Sequence, residues 1–313
     1  MGFSVQELGD LYPWTPKRFQ VEEGVEISYL DEGPQDAEES ILCVHGNPTW
    51  SFYYRGIVKA FAGERRVVVP DHVGAGTSDK PQDYAYTLKS HVDNLRALVE
   101  QLDLKKVTLV VHDWGGPIGL CWALLRGGLE RVERVVILNT SAFLSKSIPF
   151  TIDICRIPGF GALCIRGLNA FGRAAVVRAV AKPMAREVKR GYLGPYGSWA
   201  ERVGHLEFVH DIPMHPGIPS YALVQELEQK LPTLAERPVM LCWGGKDFCF
   251  HDGFLEGFKE RLPEAAVHRF AGAGHYVLED AGDEVIALMR DFMGADAASG
   301  SEAPSEQNAS TAV

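Results

Sequence analysis

Residues 107–116 read VTLVVHDWGG, an apolar, β-branched run that stops at a His-Asp pair and reopens, after Trp114, on two glycines. The run predicts a buried strand, and the glycines before an apolar segment predict a tight turn into a helix. Asp113 then sits at the carboxyl end of the strand, where the helix N-terminus aims its N–H groups at whatever binds. This is an elbow of the kind that presents a nucleophile, with Asp where G-x-S-x-G would put Ser and with Val111 in place of the first Gly. Taken alone, the stretch suits equally well an ordinary turn in which Asp113 caps the helix. The rest of the chain has to decide.

At 313 residues the chain suits one large α/β domain with an insertion, or two small domains. A formal net charge of −10 argues against a nucleic-acid partner, because phosphate binding needs a clustered basic surface. The basic stretch 173–190 alternates with Ala, Val and an acidic neighbour and reads as a solvated helix face. No apolar run is long enough for a transmembrane segment and no leader pattern opens the chain, so the expected location is cytoplasmic. The six cysteines form no C-x-x-C, and a Cys155–Cys164 disulfide would need an oxidising compartment that nothing suggests.

Residues 1–20 read as an N-terminal arm and 25–31 as a first strand, followed by buried strands at 41–44 and 66–70. The loop 73–77, VGAGT, lacks the spacing of a dinucleotide fingerprint or a P-loop and reads as a tight crossover. Thr87 caps a helix with Leu88, Val92, Leu95, Val99 and Leu102 on one face. The elbow strand, a helix to about Arg126 and a strand at 134–138 follow. This alternation is that of a mostly parallel central sheet flanked by helices. It breaks over 141–217, rich in Gly, Pro, Phe and Arg, which reads as a mostly helical insertion over the strand ends. It resumes with a helix at 221–230, a strand at 239–243, a helix over 254–262, a strand at 266–270 and a last helix carrying Val285, Leu288, Met289 and Phe292. The expected division is a core of 1–140 and 218–294, a helical cap of 141–217 and a disordered tail of 295–313.

Ligands of parallel sheets bind at the carboxyl ends of the strands. Asn47, Asp113-Trp114, Asp247 and His275 all fall there, in the chain order nucleophile, acid, base. Each has a bland reading on its own: an Asx turn for Asn47, a turn residue for Asp247, a surface histidine for His275. Together they favour catalysis. A carboxylate nucleophile displaces a leaving group at an sp³ carbon and forms an alkyl-enzyme ester. His275, oriented by Asp247, activates water against the Asp113 carbonyl carbon, and N–H groups near Asn47 and Trp114 stabilise the oxyanion. The Trp114 indole and the Asn47 amide are uncharged donors suited to a weakly basic anion such as chloride or bromide.

Here HGNPTWS at 45–51 and HDWGGP at 112–117 resemble the haloalkane dehalogenases, within the α/β-hydrolase fold, and the resemblance extends to about residue 293. Position by position it implies Asp113 as nucleophile, His275 as base, Asp247 as acid, and Asn47 with Trp114 as the halide pair. Some members carry the acid as Glu after the strand that follows the nucleophile helix; Asn139-Thr140 stands there, so the acid falls to Asp247. Asn47 with Asp247 resembles the third subfamily, which shades into the β-lactone decarboxylases of long-chain olefin synthesis. YLDEGP at 29–34 and WGGKDFCF at 243–250 look as much like that branch.

The leading expectation is therefore hydrolytic dehalogenation of apolar haloalkanes, with β-lactone decarboxylation to a cis-olefin and CO2 on the same residues as the alternative. An epoxide hydrolase would need cap tyrosines, for which Tyr192, Tyr196 and Tyr221 are candidates. A non-catalytic binder on the same fold is the remaining class. His205, His210 and His215 recur every five residues, but helical metal ligands sit three or four apart and Pro213 and Pro216 break any helix there. The expected partners are a small apolar substrate and a halide ion, with no organic cofactor or metal and with homo-oligomerisation left open. Of the insertion's aromatics, Phe143, Phe150, Phe160, Phe171, Trp199 and Phe208, most are expected to form cap core and a few to line an apolar pocket.

Overall fold

Alternate residues of the buried strands face opposite sides of one sheet, which is why those strands read as unbroken apolar runs. The computed structural model describes residues 3–299. Its strands are β1 (Lys17–Glu22), β2 (Val25–Glu32), β3 (Ser40–Val44), β4 (Arg66–Pro70), β5 (Val107–Asp113), β6 (Val132–Thr140), β7 (Val239–Gly244) and β8 (Ala266–Phe270). They lie in the order β1-β2-β4-β3-β5-β6-β7-β8. The pairs β1–β2 and β2–β4 are antiparallel and every other pair is parallel. Leu42, Leu109, Val111 and Leu241 join one core, while Cys43, Val110, Val136 and Cys242 join the core on the other face.

Helices α1 (Arg55–Phe61), α2 (Leu88–Gln101) and α3 (Gly115–Leu125) precede β6 or connect the early strands. Thr87 caps α2 as expected, its hydroxyl accepting from the Ser90 N–H at 3.3 Å. Between β6 and the next long helix the chain forms α4 (Phe150–Asp153), α5 (Phe160–Ala162), α6 (Ala170–Arg178), α7 (Arg186–Leu193) and α8 (Val203–His210), with no strand among the described residues. It returns through α9 (Tyr221–Lys230), α10 (Asp252–Arg261), α11 (Val277–Asp280) and α12 (Gly282–Ser299). α2, α3, α9 and α10 feed the first core, and α1, α11 and α12 the second.

Two expectations change. The N-terminal arm contains β1, an edge strand on β2. Its residues are exposed or half-buried throughout, and only Phe19 and Val21 turn toward the first core, so its apolar signature in the sequence is short. At the other end α12 continues through Ser299, because the Ala-rich 295–299 favours helix over coil. Residues 300–313 of the expected tail lie outside the described residues.

Candidate active site

Asp113 closes β5 with φ at 51°, the left-handed region that costs a non-glycine residue strain and turns the chain sharply into α3. The turn is held by close backbone approaches. A Cβ on Gly115 would lie 1.9 Å from the Val44 carbonyl oxygen, and a Cβ on Gly46 would lie 2.1 Å from Asp113 Oδ1. Asp113 Oδ1 accepts the Asn47 backbone N–H at 2.6 Å, and the carboxylate also accepts from the Trp114 backbone N–H. These two donors come from the ends of β3 and β5, which are adjacent parallel strands.

His275 Nε2 lies 3.6 Å from Asp113 Oδ2, and its Nδ1–H donates to Asp247 Oδ2 at 2.8 Å. Asp247, whose side chain is fully buried, accepts from the Cys249 N–H at 2.6 Å and from Asn139 Nδ2 at 2.9 Å. The structure thus brings Asp113, His275 and Asp247 together from the ends of three strands. Burial pushes Asp113 up from the ordinary carboxylate range, opposed by the His275 charge and the two N–H donors. Burial pulls His275 down, but the Asp247 carboxylate and its hydrogen bond outweigh this and hold the imidazole above its usual value. His112, which flanks the elbow, donates Nε2–H to the His275 carbonyl at 3.0 Å. His251 uses Nδ1 to cap α10 and Nε2 to meet Ser147 Oγ at 3.0 Å.

The loop that carries His275 is anchored by a residue the sequence did not single out. Asp280 accepts from the N–H groups of Gly274, Ala181 and Lys182 at 2.8, 2.7 and 2.9 Å. One buried carboxylate so ties the loop to the chain that follows α6.

Asn47 gives one amide N–H to the His205 carbonyl of α8 at 3.2 Å, which joins the end of β3 to the insertion. Trp114 and Asn47 both border a cavity of about 370 Å³ above Asp113, with Pro48 and Pro117 beside them. Phe143, Phe160 and Phe171 line it, whereas Phe208 is buried beside Trp114 and Phe150 and Trp199 face outward. Cys155 and Cys164 line it as free thiols. None of the three tyrosines considered for an epoxide opens on the cavity. Tyr192 donates to Glu279 and Tyr196 accepts from the Gly76 N–H at 2.8 Å. Tyr276 is the tyrosine that reaches the cavity, from the sheet side.

Residues 39–282 match the model of the α/β-hydrolase fold family. Over 284 residues the chain is 45% identical to the cis-3-alkyl-4-alkyloxetan-2-one decarboxylase of Shewanella oneidensis, covering 88% of each chain. Over 293 residues it is 41% identical to the protein of the same name from Xanthomonas campestris, covering 90% of this chain and 97% of the other. A crystal structure of a haloalkane dehalogenase from Agrobacterium tumefaciens superposes with a TM-score of 0.79 at 25% identity, over 93% of this chain and 99% of that one. With an Asp at the elbow of a mostly parallel sheet and a His and a second Asp supplied by later strand ends, the chain belongs to the α/β-hydrolase family.

Proposed function

We propose that this chain opens and decarboxylates cis-3,4-dialkyl β-lactones, with residues 141–217 as a cap over the site. The observation that carries the reading is an N–H-supported carboxylate, Asp113, on the floor of an apolar cavity of about 370 Å³. Both curated relatives described above, at 45% and 41% identity, bear the decarboxylase name, so the alternative reading of the sequence becomes the first.

The steps balance without water. An Asp113 oxygen attacks the ring carbon that bears the ring oxygen, with inversion; the carbon–oxygen bond breaks and the lactone carbonyl becomes a carboxylate. That carboxylate leaves as CO2, its electron pair forms the carbon–carbon double bond, and Asp113 departs from the opposite face. Inversion followed by anti departure converts a cis lactone to a cis olefin. Asp113 is regenerated as a carboxylate and is stabilised by the Asn47 and Trp114 N–H groups and by the His275 imidazolium 3.6 Å away.

Hydrolytic dehalogenation is the second reading, favoured by the Trp114 indole and the Asn47 amide at the cavity and by the likeness to the Agrobacterium enzyme. It differs in needing water: His275 must take a proton from a molecule that attacks the Asp113 carbonyl carbon.

The test is turnover of a cis-3,4-dialkyl β-lactone and of 1-bromohexane in heavy-oxygen water, followed by mass analysis of the Asp113 peptide. Stoichiometric cis-olefin and CO2, an unlabelled Asp113 and loss of turnover in Asp113→Ala are expected. Bromide release with labelled Asp113 and no lactone loss would overturn the proposal in favour of the second reading.

A further inference from the structure

Exposed apolar side chains are concentrated on one part of this molecule. Of the nine large hydrophobic residues exposed among the described residues, six are Phe150, Ile157, Phe160, Leu163, Leu168 and Val177. All lie within 28 residues of one another in the chain. Two of the remaining three stack under cations of the same region: Trp199 under Arg166 at 4.8 Å and Phe248 under Arg178 at 5.5 Å. The short helices of this region pack on one another in succession, and exposed apolar side chains so concentrated mark a contact surface.

The charge of the same segment is opposite to that of the chain. Residues 150–186 carry Arg156, Arg166, Arg173, Arg178, Lys182 and Arg186 against one acid, Asp153, which pairs with Arg156 at 3.0 Å, in a protein of formal net charge −10. Among the described residues no single helix is long and apolar enough to cross a membrane, and the two apolar pieces Phe160–Gly167 and Ala170–Arg178 meet at 67°. Apolar side chains interspersed along the chain with Arg and Lys, on short helices that change direction, suit the headgroup boundary of a bilayer.

The patch also opens on the cavity. Phe160 is 45% exposed and lines the cavity wall, as do Ile154, Cys155 and Arg178. A substrate apolar enough to fill that cavity partitions into lipid rather than water. We infer that the face formed by residues 150–177 docks on an anionic phospholipid bilayer, with the cavity mouth turned toward the acyl chains. A second copy pairing through this face would bring two net-positive segments together; an anionic lipid surface answers both the charge and the apolar side chains.

The experiment is co-flotation of the full chain with vesicles of phosphatidylcholine alone or mixed with phosphatidylglycerol. Binding to the mixed vesicles is expected. It should fall about tenfold or more in Phe150→Ser/Ile157→Ser/Leu163→Ser/Leu168→Ser, in Arg173→Glu/Arg186→Glu and in high salt. None of these six residues lines the cavity, so turnover of a short-chain, water-soluble substrate should stay at the wild-type level and show that each variant is folded. The inference is overturned if the wild type ignores both kinds of vesicle, if the variants float as it does, or if lipid-free wild type dimerises and the Ser variant does not. The readout is lipid binding, so it stands or falls independently of which reaction the site performs.

Discussion

Asn139 donates Nδ2–H to Asp247 Oδ2 at 2.9 Å while its own Oδ1 accepts the Gly244 N–H at 2.7 Å. The residue at the end of β6 thus fixes the carboxylate that follows β7, and through it the tautomer and aim of His275. Asn139 does not border the cavity. Asn139→Ala should therefore lower kcat and leave KM near its wild-type value. A hydrogen bond to a charged group contributes about 1.5–3 kcal/mol, which corresponds to about a 10- to 100-fold loss. Steady-state kinetics with a thermal melt on the same preparation checks this. An unchanged kcat in a folded variant would mean that the Cys249 N–H and His275 hold Asp247 without help.

The two reactions differ in what they ask of His275 as pH changes. Attack needs Asp113 ionised, and burial raises its pKa, so activity should fall on the acid side at a pH above the ordinary carboxylate range. His275 is raised as well, so its imidazolium persists to higher pH than that of a free histidine. Lactone fragmentation requires no base and should decline through the His275 titration, as the imidazolium that stabilises the departing Asp113 is lost. Ester hydrolysis requires the neutral imidazole and should rise through that titration. A kcat profile that climbs toward alkaline pH with the lactone as substrate would contradict the anhydrous route.

What the sequence showed and what it hid divide along a physical line. β5 and its elbow were legible because a strand buried on both faces and a glycine pair are local signals. Asp247 and His275 were legible because they follow glycines directly after strand ends. Asn139 and Asp280 were not, because each acts on partners 108 and 99 residues away along the chain, and an isolated Asn or Asp at a strand or helix end looks like any other. In the sequence Asn139 reads only as the absence of an acid. The structure makes it a partner of the acid that stands elsewhere. β1 is hard to read because its apolar face is only Phe19 and Val21, half-buried between charged and polar neighbours, too short an alternation to mark a strand. The insertion aromatics divided between cavity wall, core and surface, a partition set by tertiary packing rather than by periodicity.

Five buried histidines make the fold sensitive to acid. Burial holds His45 and His205 at about 3 and pushes His72, His91 and His112 well below the ordinary value of 6.5. A group whose folded pKa is depressed stays neutral in the native state while the unfolded chain takes up a proton. Its contribution is therefore intact above 6.5 and is lost as pH falls toward the folded value. Each such histidine costs about 1.4 kcal/mol per pH unit in that window. His91 is the cleanest to remove. Neither of its ring nitrogens has a hydrogen-bond partner among the described residues, and it stacks on Phe208 at 4.6 Å with an interplanar angle of 12°. His91→Phe keeps the ring and removes the proton site. Urea unfolding at a series of pH values should find the variant equal to or slightly more stable than wild type near neutrality. The gap should widen by about 1.4 kcal/mol for each unit below 6.5. Parallel curves for the two proteins would show that His91 takes up its proton without unfolding the chain.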